Sequence, residues 1–175
     1  MLHLITPDGD AGYNKAHVKL SEKKKGEGLP CVRNIFFRGL EIDIQLDRGM
    51  EASGKDPDGK PWSVKYEVPY GEVPRTISAH DHDPIDVYVL EGGEDKPFVY
   101  CVNQQKKSGK FDEQKFFLGF DSPIDATSCY YKHGPPWGFM SLVTLTWNEF
   151  VNGVVLGAYD FSQGPRLIVY PKDDF

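Results

Sequence analysis

Long hydrophobic runs are missing from this 175-residue chain. A membrane-spanning helix needs about 20 predominantly apolar residues, so none is expected. Cysteine is scarce: Cys31, Cys101 and Cys129 are odd in number and nowhere form a Cys-x-x-Cys pair. That usage argues against a disulfide scaffold and favours free thiols in a reducing compartment. Positive charge is in deficit, with a formal net charge of -6, which argues against a general nucleic-acid surface. A metal ion that gathers carboxylates, or a basic partner, fits this balance better. The N-terminus has no apolar core of the kind a secretion signal carries, so a cytoplasmic location is expected. No internal repeat is found.

Glycine (18) and proline (13) are, by contrast, plentiful, and they point to many turns between short strands. A chain of this length is expected to form one domain with a real core. Residues 1–36 read as an N-terminal extension, with Lys23-Lys24-Lys25 as a solvated loop. Residues 37–156 carry the strand-forming pattern. Residues 157–175 read as a C-terminal tail or added strand, with Leu167–Tyr170 extended. Leu40, Ile42, Ile44 and Leu46 alternate with Glu41, Asp43, Gln45 and Asp47, the period-two mark of a half-buried strand. A turn at Pro57-Asp58-Gly59 separates this run from Trp62, Val64, Tyr66 and Val68, and the two runs are expected to pair. Further strands are expected at Val87–Leu90, Phe98–Val102, Lys115–Phe120 and Met140–Leu145. Ser122 followed by Pro123 marks one helix start. Thr146 and Glu149 match a capping box and mark another. The expected fold is β-rich α+β: a small closed β-barrel with two short flanking helices.

The sharpest chemical signal is His80-Asp81-His82-Asp83-Pro84-Ile85-Asp86, which runs into the apolar Val87-Tyr88-Val89-Leu90. Two carboxylates about 4 Å apart repel by roughly 4 kcal/mol at an effective dielectric of about 20. Three in six positions therefore need solvent, protonation or a cation. An acidic turn with its side chains in water is the plain alternative. Against it, Pro84 stiffens the segment, and Asp86 stands at the rim of a rigid strand. All-oxygen ligands with room for water suit Mg²⁺ or Mn²⁺. His80 and His82 lack the i, i+4 spacing of a helical zinc pair and read as surface histidines. His17 and His133 stand alone and read as structural. Tyr70 either packs in the core or presents its hydroxyl to a phosphate. Lys110–Lys115 mixes both signs, the pattern of a solvated hairpin. Beside a metal cluster, Glu113 would add an oxygen ligand and Lys115 would neutralise an anion. Asp112 and Asp125 read as turn and helix-start residues.

Taken together, Tyr70-Gly71, Pro74-Arg75-Thr76 and Asp81-His82-Asp83-Pro84-Ile85-Asp86-Val87-Tyr88-Val89 resemble the signature of the soluble family I inorganic pyrophosphatases. Gly54–Trp62 and Gly109–Ser122 resemble the version of that domain found in polyvalent proteins of phages and mobile elements. The resemblance covers roughly residues 40–152. It implies the same small barrel. Position by position, it implies that Asp81, Asp83, Asp86 and Glu113 are metal ligands, with Mg²⁺ as the ion and Mn²⁺ as a substitute. Asp86 would bridge two ions, and Asp83 would take the proton of the attacking water. Tyr70 and Lys115 would contact phosphate, and Lys55 would stand in as a further phosphate ligand. The implied reaction is two-metal hydrolysis of pyrophosphate or a related diphosphate.

The chain departs from that pattern in three places. The glycine between the first two aspartates is His82. The acidic residue expected on the first strand falls at Gln45, with Asp47 or Glu51 as substitutes. A basic residue expected near the next turn falls at Ser53, with Lys55 two positions on. Two main readings follow. One is a Mg²⁺-dependent diphosphate hydrolase in the host cytoplasm. The other is a phage virion or assembly protein that keeps the fold with little or no activity. Its N-terminal extension would then contact phage structural proteins or a second copy of the chain. A nucleotide-signal hydrolase is a third reading, differing from the first only in its leaving group. Neither nucleic acid nor a membrane is expected as a partner.

Overall fold

The computed structural model describes residues 17–19 and 29–160. The expectations for Lys23–Lys25 and Leu167–Tyr170 lie outside the described residues. In chain order the strands are β1 His17–Lys19, β2 Arg33–Phe37, β3 Leu40–Leu46, β4 Glu51–Lys55 and β5 Pro61–Lys65. They continue with β6 Tyr70–Val73, β7 Ile85–Val89, β8 Phe98–Gln105, β9 Phe111–Leu118 and β10 Phe139–Thr146. Helix α1 spans Pro123–His133, a 3₁₀ turn spans Pro136–Gly138, and a π-helical segment spans Glu149–Val155. The strands form a seven-stranded sheet in the order β10-β8-β9-β7-β6-β3-β2 and a three-stranded sheet in the order β1-β4-β5. The described residues are thus β-rich α+β. No helix among them is long and apolar enough to cross a membrane.

The large sheet separates two cores, and β7 shows how. Ile85, Val87 and Val89 join Ile42, Ile44, Phe116 and Leu118 on one face, which Trp147, Phe150, Val151 and Val155 cover. Successive strand residues point to opposite faces, so Asp86 and Tyr88 look the other way. There Tyr88, Leu46, Tyr100 and Phe117 pack under Ala126, Cys129 and Tyr130 of α1, together with Met50, Ala52 and Tyr66. Each fully buried Val, Ile or Phe contributes about 1.5–3 kcal/mol. The same face also carries the polar neighbours Asp86 and Lys115.

Both helix starts form as the sequence indicates. The Ser122 hydroxyl accepts from Asp125 N at 3.2 Å. Thr146 N donates to Glu149 Oε2 at 2.7 Å while Glu149 N donates to Thr146 Oγ1 at 3.2 Å. Three expectations change. The alternating runs of β3 and β5 do not pair: β3 lies between β2 and β6, and β5 pairs with β4. The chain turns off the large sheet at Gly49, whose φ is 87°, and closes a separate hairpin at Gly59, φ 80°. The sheet also begins at Arg33, upstream of Phe37. Exposed Phe36 hides that strand's alternation, while Arg33 ties it down through Asp47 at 2.8 Å and Glu91 at 2.7 Å. Finally, β10 and β2 are the ends of the strand order. Among the described residues neither sheet is closed into the expected barrel, and the β4–β5 hairpin pairs with β1.

One close approach fixes the register that the site uses. Ile44 pairs with Gly71 and Leu46 with Tyr70, so Gln45 sits in a bulge. A Cβ on Gly71 would stand 2.0 Å from the carbonyl oxygen of Asp43. Gly71→Ala is expected to cost about 3 kcal/mol through overpacking against fixed backbone, read as a lower urea midpoint. A wild-type midpoint would show that β3 and β6 do not meet in this register.

Candidate active site

β9 folds back between β8 and β7 and runs parallel to β7. This sets Lys115 directly beside Asp86, with Glu72 on the other side of Asp86 and Asp43 beyond it. Residues opposed across strands share a face. An acidic row, Asp43, Glu72 and Asp86, therefore ends at one ammonium group. Lys115 Nζ donates to Asp86 Oδ2 at 2.5 Å and to the Tyr70 hydroxyl at 3.0 Å, and it lies 3.0 Å from Glu113 Oε1. Glu113 Oε1 also accepts from Gln104 Nε2 at 2.9 Å, and Gln104 Oε1 accepts from the Tyr130 hydroxyl at 3.1 Å. A continuous hydrogen-bonded path runs from α1 to Asp86.

Charge in this group is set by its surroundings. Burial works against the Lys115 cation, but the Asp86 charge, with Tyr70 and Glu113, outweighs it and holds the lysine protonated well above its ordinary range. Burial, then the Asp86 charge, pushes the Tyr70 phenol well above its usual value, so it stays neutral. Its oxygen accepts from Lys115 and its own proton is free to donate. Burial raises Glu113 as well. The group opens into a cleft of about 1000 Å³, lined among others by Lys55, Tyr70, Glu113 and Lys115.

The aspartate loop is built separately. Thr76 joins the ends of β6 and β7, donating to Val73 O at 2.6 Å and accepting from Ile85 N at 2.9 Å. Ser78 N donates to Asp83 O at 2.8 Å, and His82 N returns to Ser78 O at 3.0 Å. Asp81 Oδ1 accepts from Asp83 N at 3.1 Å. His82 holds a φ of 63°, the left-handed conformation that glycine adopts without strain. The backbone thus adopts a glycine-like geometry at the position where the signature it resembles carries glycine. His80 packs edge-on against Phe111, ring centroids 4.7 Å apart.

The structure brings together Tyr70, Asp86, Glu113 and Lys115, with Lys55 on the same cleft. Among the described residues no hydrogen bond or ion pair joins Asp81 or Asp83 to that group. Nor do three His, Cys, Asp or Glu side chains among them form a metal-holding cluster. Gln45 is buried and donates to Leu29 O at 3.2 Å, and Asp47 is held by Arg33. Gln104 and Tyr130 escaped the sequence reading, since neither a lone glutamine on a strand nor a tyrosine in an apolar helix face carries a signal. His133 is structural, as expected of a lone histidine. Its Nε2 accepts from Glu67 N at 3.0 Å and its Nδ1 lies 2.7 Å from Cys129 O. A carbonyl can only accept, so Nδ1 carries the proton and the ring is neutral.

A family model described as Inorganic Pyrophosphatase matches residues 22–154. No curated protein and no solved structure matches the chain.

Burial lowers the His133 pKa below the ordinary histidine value. Unfolding releases it to about 6.5, so the unfolded chain binds a proton that the folded chain refuses. Stability is full above that pH and declines as the pH falls through it. The melting temperature should drop from about pH 7.5 to about pH 5 more steeply in wild type than in His133→Gln; parallel curves would remove this role. At the aspartate loop, His82→Val should cost about 1–2 kcal/mol because a β-branched residue resists φ near 63°, whereas His82→Gly should be tolerated. Equal urea midpoints for the two variants would contradict the left-handed assignment.

Proposed function

The chain belongs to the inorganic pyrophosphatase family, and from that premise we propose that it hydrolyses pyrophosphate or a related diphosphate with Mg²⁺. The observation that carries the reading is the protonated Lys115, bonded to Tyr70 and Asp86 in a lysine-lined cleft within the matched span. Asp81, Asp83 and Asp86 suit a hard divalent ion by donor chemistry, being carboxylate oxygens throughout. Lys115 takes only Oδ2 of Asp86, and Asp83 is exposed. By that chemistry and the resemblance these three would hold Mg²⁺, with Mn²⁺ as a substitute, the ion drawing together carboxylates that form no cluster without it. Bound there, the ion supplies charge neutralisation and a more acidic water. Glu113, whose Oε1 faces Lys115 and Gln104, would add a further oxygen ligand.

The remaining work belongs to this chain's side chains. Lys115 and Lys55 neutralise phosphate oxygens, and the Tyr70 proton is donated to another. Asp83 accepts the proton of the attacking water. That water's oxygen bonds to one phosphorus as the bridging P–O bond breaks, and two phosphates leave. Positioned charge does nearly all of this, since phosphoryl transfer asks little covalent chemistry of a protein.

One observation favours the alternative of a scaffold that keeps the fold without the reaction. An internal ammonium already stands where the Asp86 and Glu113 carboxylates meet. Phosphate release from pyrophosphate with Mg²⁺ separates the two. The hydrolase reading expects turnover in wild type and a loss of about 10²-fold or more in kcat for Asp83→Asn. No wild-type turnover with Mg²⁺ or Mn²⁺ would select the scaffold.

A further inference from the structure

The cleft has room for more than pyrophosphate. Its volume of about 1000 Å³ reaches the upper end of the range, about 300–1,000 Å³, that accommodates drug-sized organic ligands. Its wall says what chemistry fills the remainder. Lys55, Lys60, Lys107, Lys115 and Lys132 all line it, in a chain whose net charge is -6. Lys107 is paired with Asp56 and Asp58, and Lys132 with Glu67. Lys55 and Lys60 form no ion pair among the described residues. Asp56, Asp58 and Glu113 line the same wall and are met by Lys107 and Lys115, so Lys55 and Lys60 are the two cations left to receive an anion.

The same wall carries two tryptophans that the fold leaves half-buried, Trp62 and Trp137. Among the described residues no aromatic ring stacks on either. Only Lys107 Nζ lies over Trp137, at 5.6 Å from the ring centroid. Trp62 rests on Gly54, where a Cβ would stand 2.8 Å from the indole, so the glycine gives the ring its seat on the β4–β5 hairpin. An indole face without a ring partner, at the wall of a ligand cleft, is a stacking surface for a planar group. A bare phosphate chain makes no use of such a surface, and a nucleobase does.

Resting on the hydrolase reading, we propose that the substrate class is nucleoside diphosphates and related nucleotide anhydrides. The phosphates are held by Lys115, Lys55 and Lys60, and the base stacks on Trp62 or Trp137. The step keeps its balance: water adds across the P–O–P anhydride, and for a nucleoside diphosphate the products are a nucleoside monophosphate and phosphate.

The test measures binding to the full chain with Mg²⁺, by calorimetry and tryptophan fluorescence. The ligands are pyrophosphate, tripolyphosphate and the adenosine and uridine diphosphates. The proposal expects the nucleotides to bind at least about tenfold tighter than pyrophosphate and to quench tryptophan emission. The double variant Trp62→Leu/Trp137→Leu should lose most of that preference, and Trp62→Phe/Trp137→Phe should restore it. Nucleotides no tighter than pyrophosphate, tripolyphosphate equal to them, or a preference that survives in the leucine variant would each overturn the proposal. The hydrolase reading fails differently: pyrophosphate then binds no more weakly to Lys115→Ala than to wild type, whatever the tryptophans do.

Discussion

The Lys115 ammonium is the point on which the site turns. It sits on a sheet face where register lines up Asp43, Glu72 and Asp86, and like charges opposed across strands destabilise a sheet. One buried cation at the end of that row offsets the repulsion locally. Its cost is large on its own, since an unpaired buried charge is strongly unfavourable. Asp86, Glu113 and Tyr70 make it tolerable, and each depends on the lysine in return.

The path from α1 through Tyr130 and Gln104 to Glu113 extends that dependence into the second core. Tyr130 is almost fully buried, so its hydroxyl has little choice of partner. A helix that covers the sheet thereby also orients a carboxylate in the cleft. Packing and site are not separate layers here: the apolar cover of one half of a sheet face fixes the polar half.

The aspartate loop follows different physics. It is closed by short-range bonds among Ser78, Asp81, His82 and Asp83, and it needs a left-handed residue at its centre. A family that uses glycine there has the conformation at no strain. This chain keeps the conformation with a histidine, so the loop's shape is imposed by its closure and not by the intrinsic preference of residue 82.

Much of this was legible in the sequence where the cause is local. The capping residues Ser122, Thr146 and Glu149, the two-residue alternation of β3, the apolar run of β7, and the clustering of Asp81, Asp83 and Asp86 are short-range facts. The resemblance in that segment then named the family that the match over residues 22–154 bears out. Tertiary structure decided the rest. The run at 62–68 looked like the partner of β3 because alternation tells which face a residue takes, not which strand lies beside it. Asp86 and Lys115 are 29 positions apart and meet only because β9 folds back next to β7. Gln104, Tyr130 and the wall tryptophans gained their places the same way. Side-chain periodicity is written into the chain residue by residue, whereas strand order is settled by the closing of long loops and the burial of whole faces, which no single segment encodes.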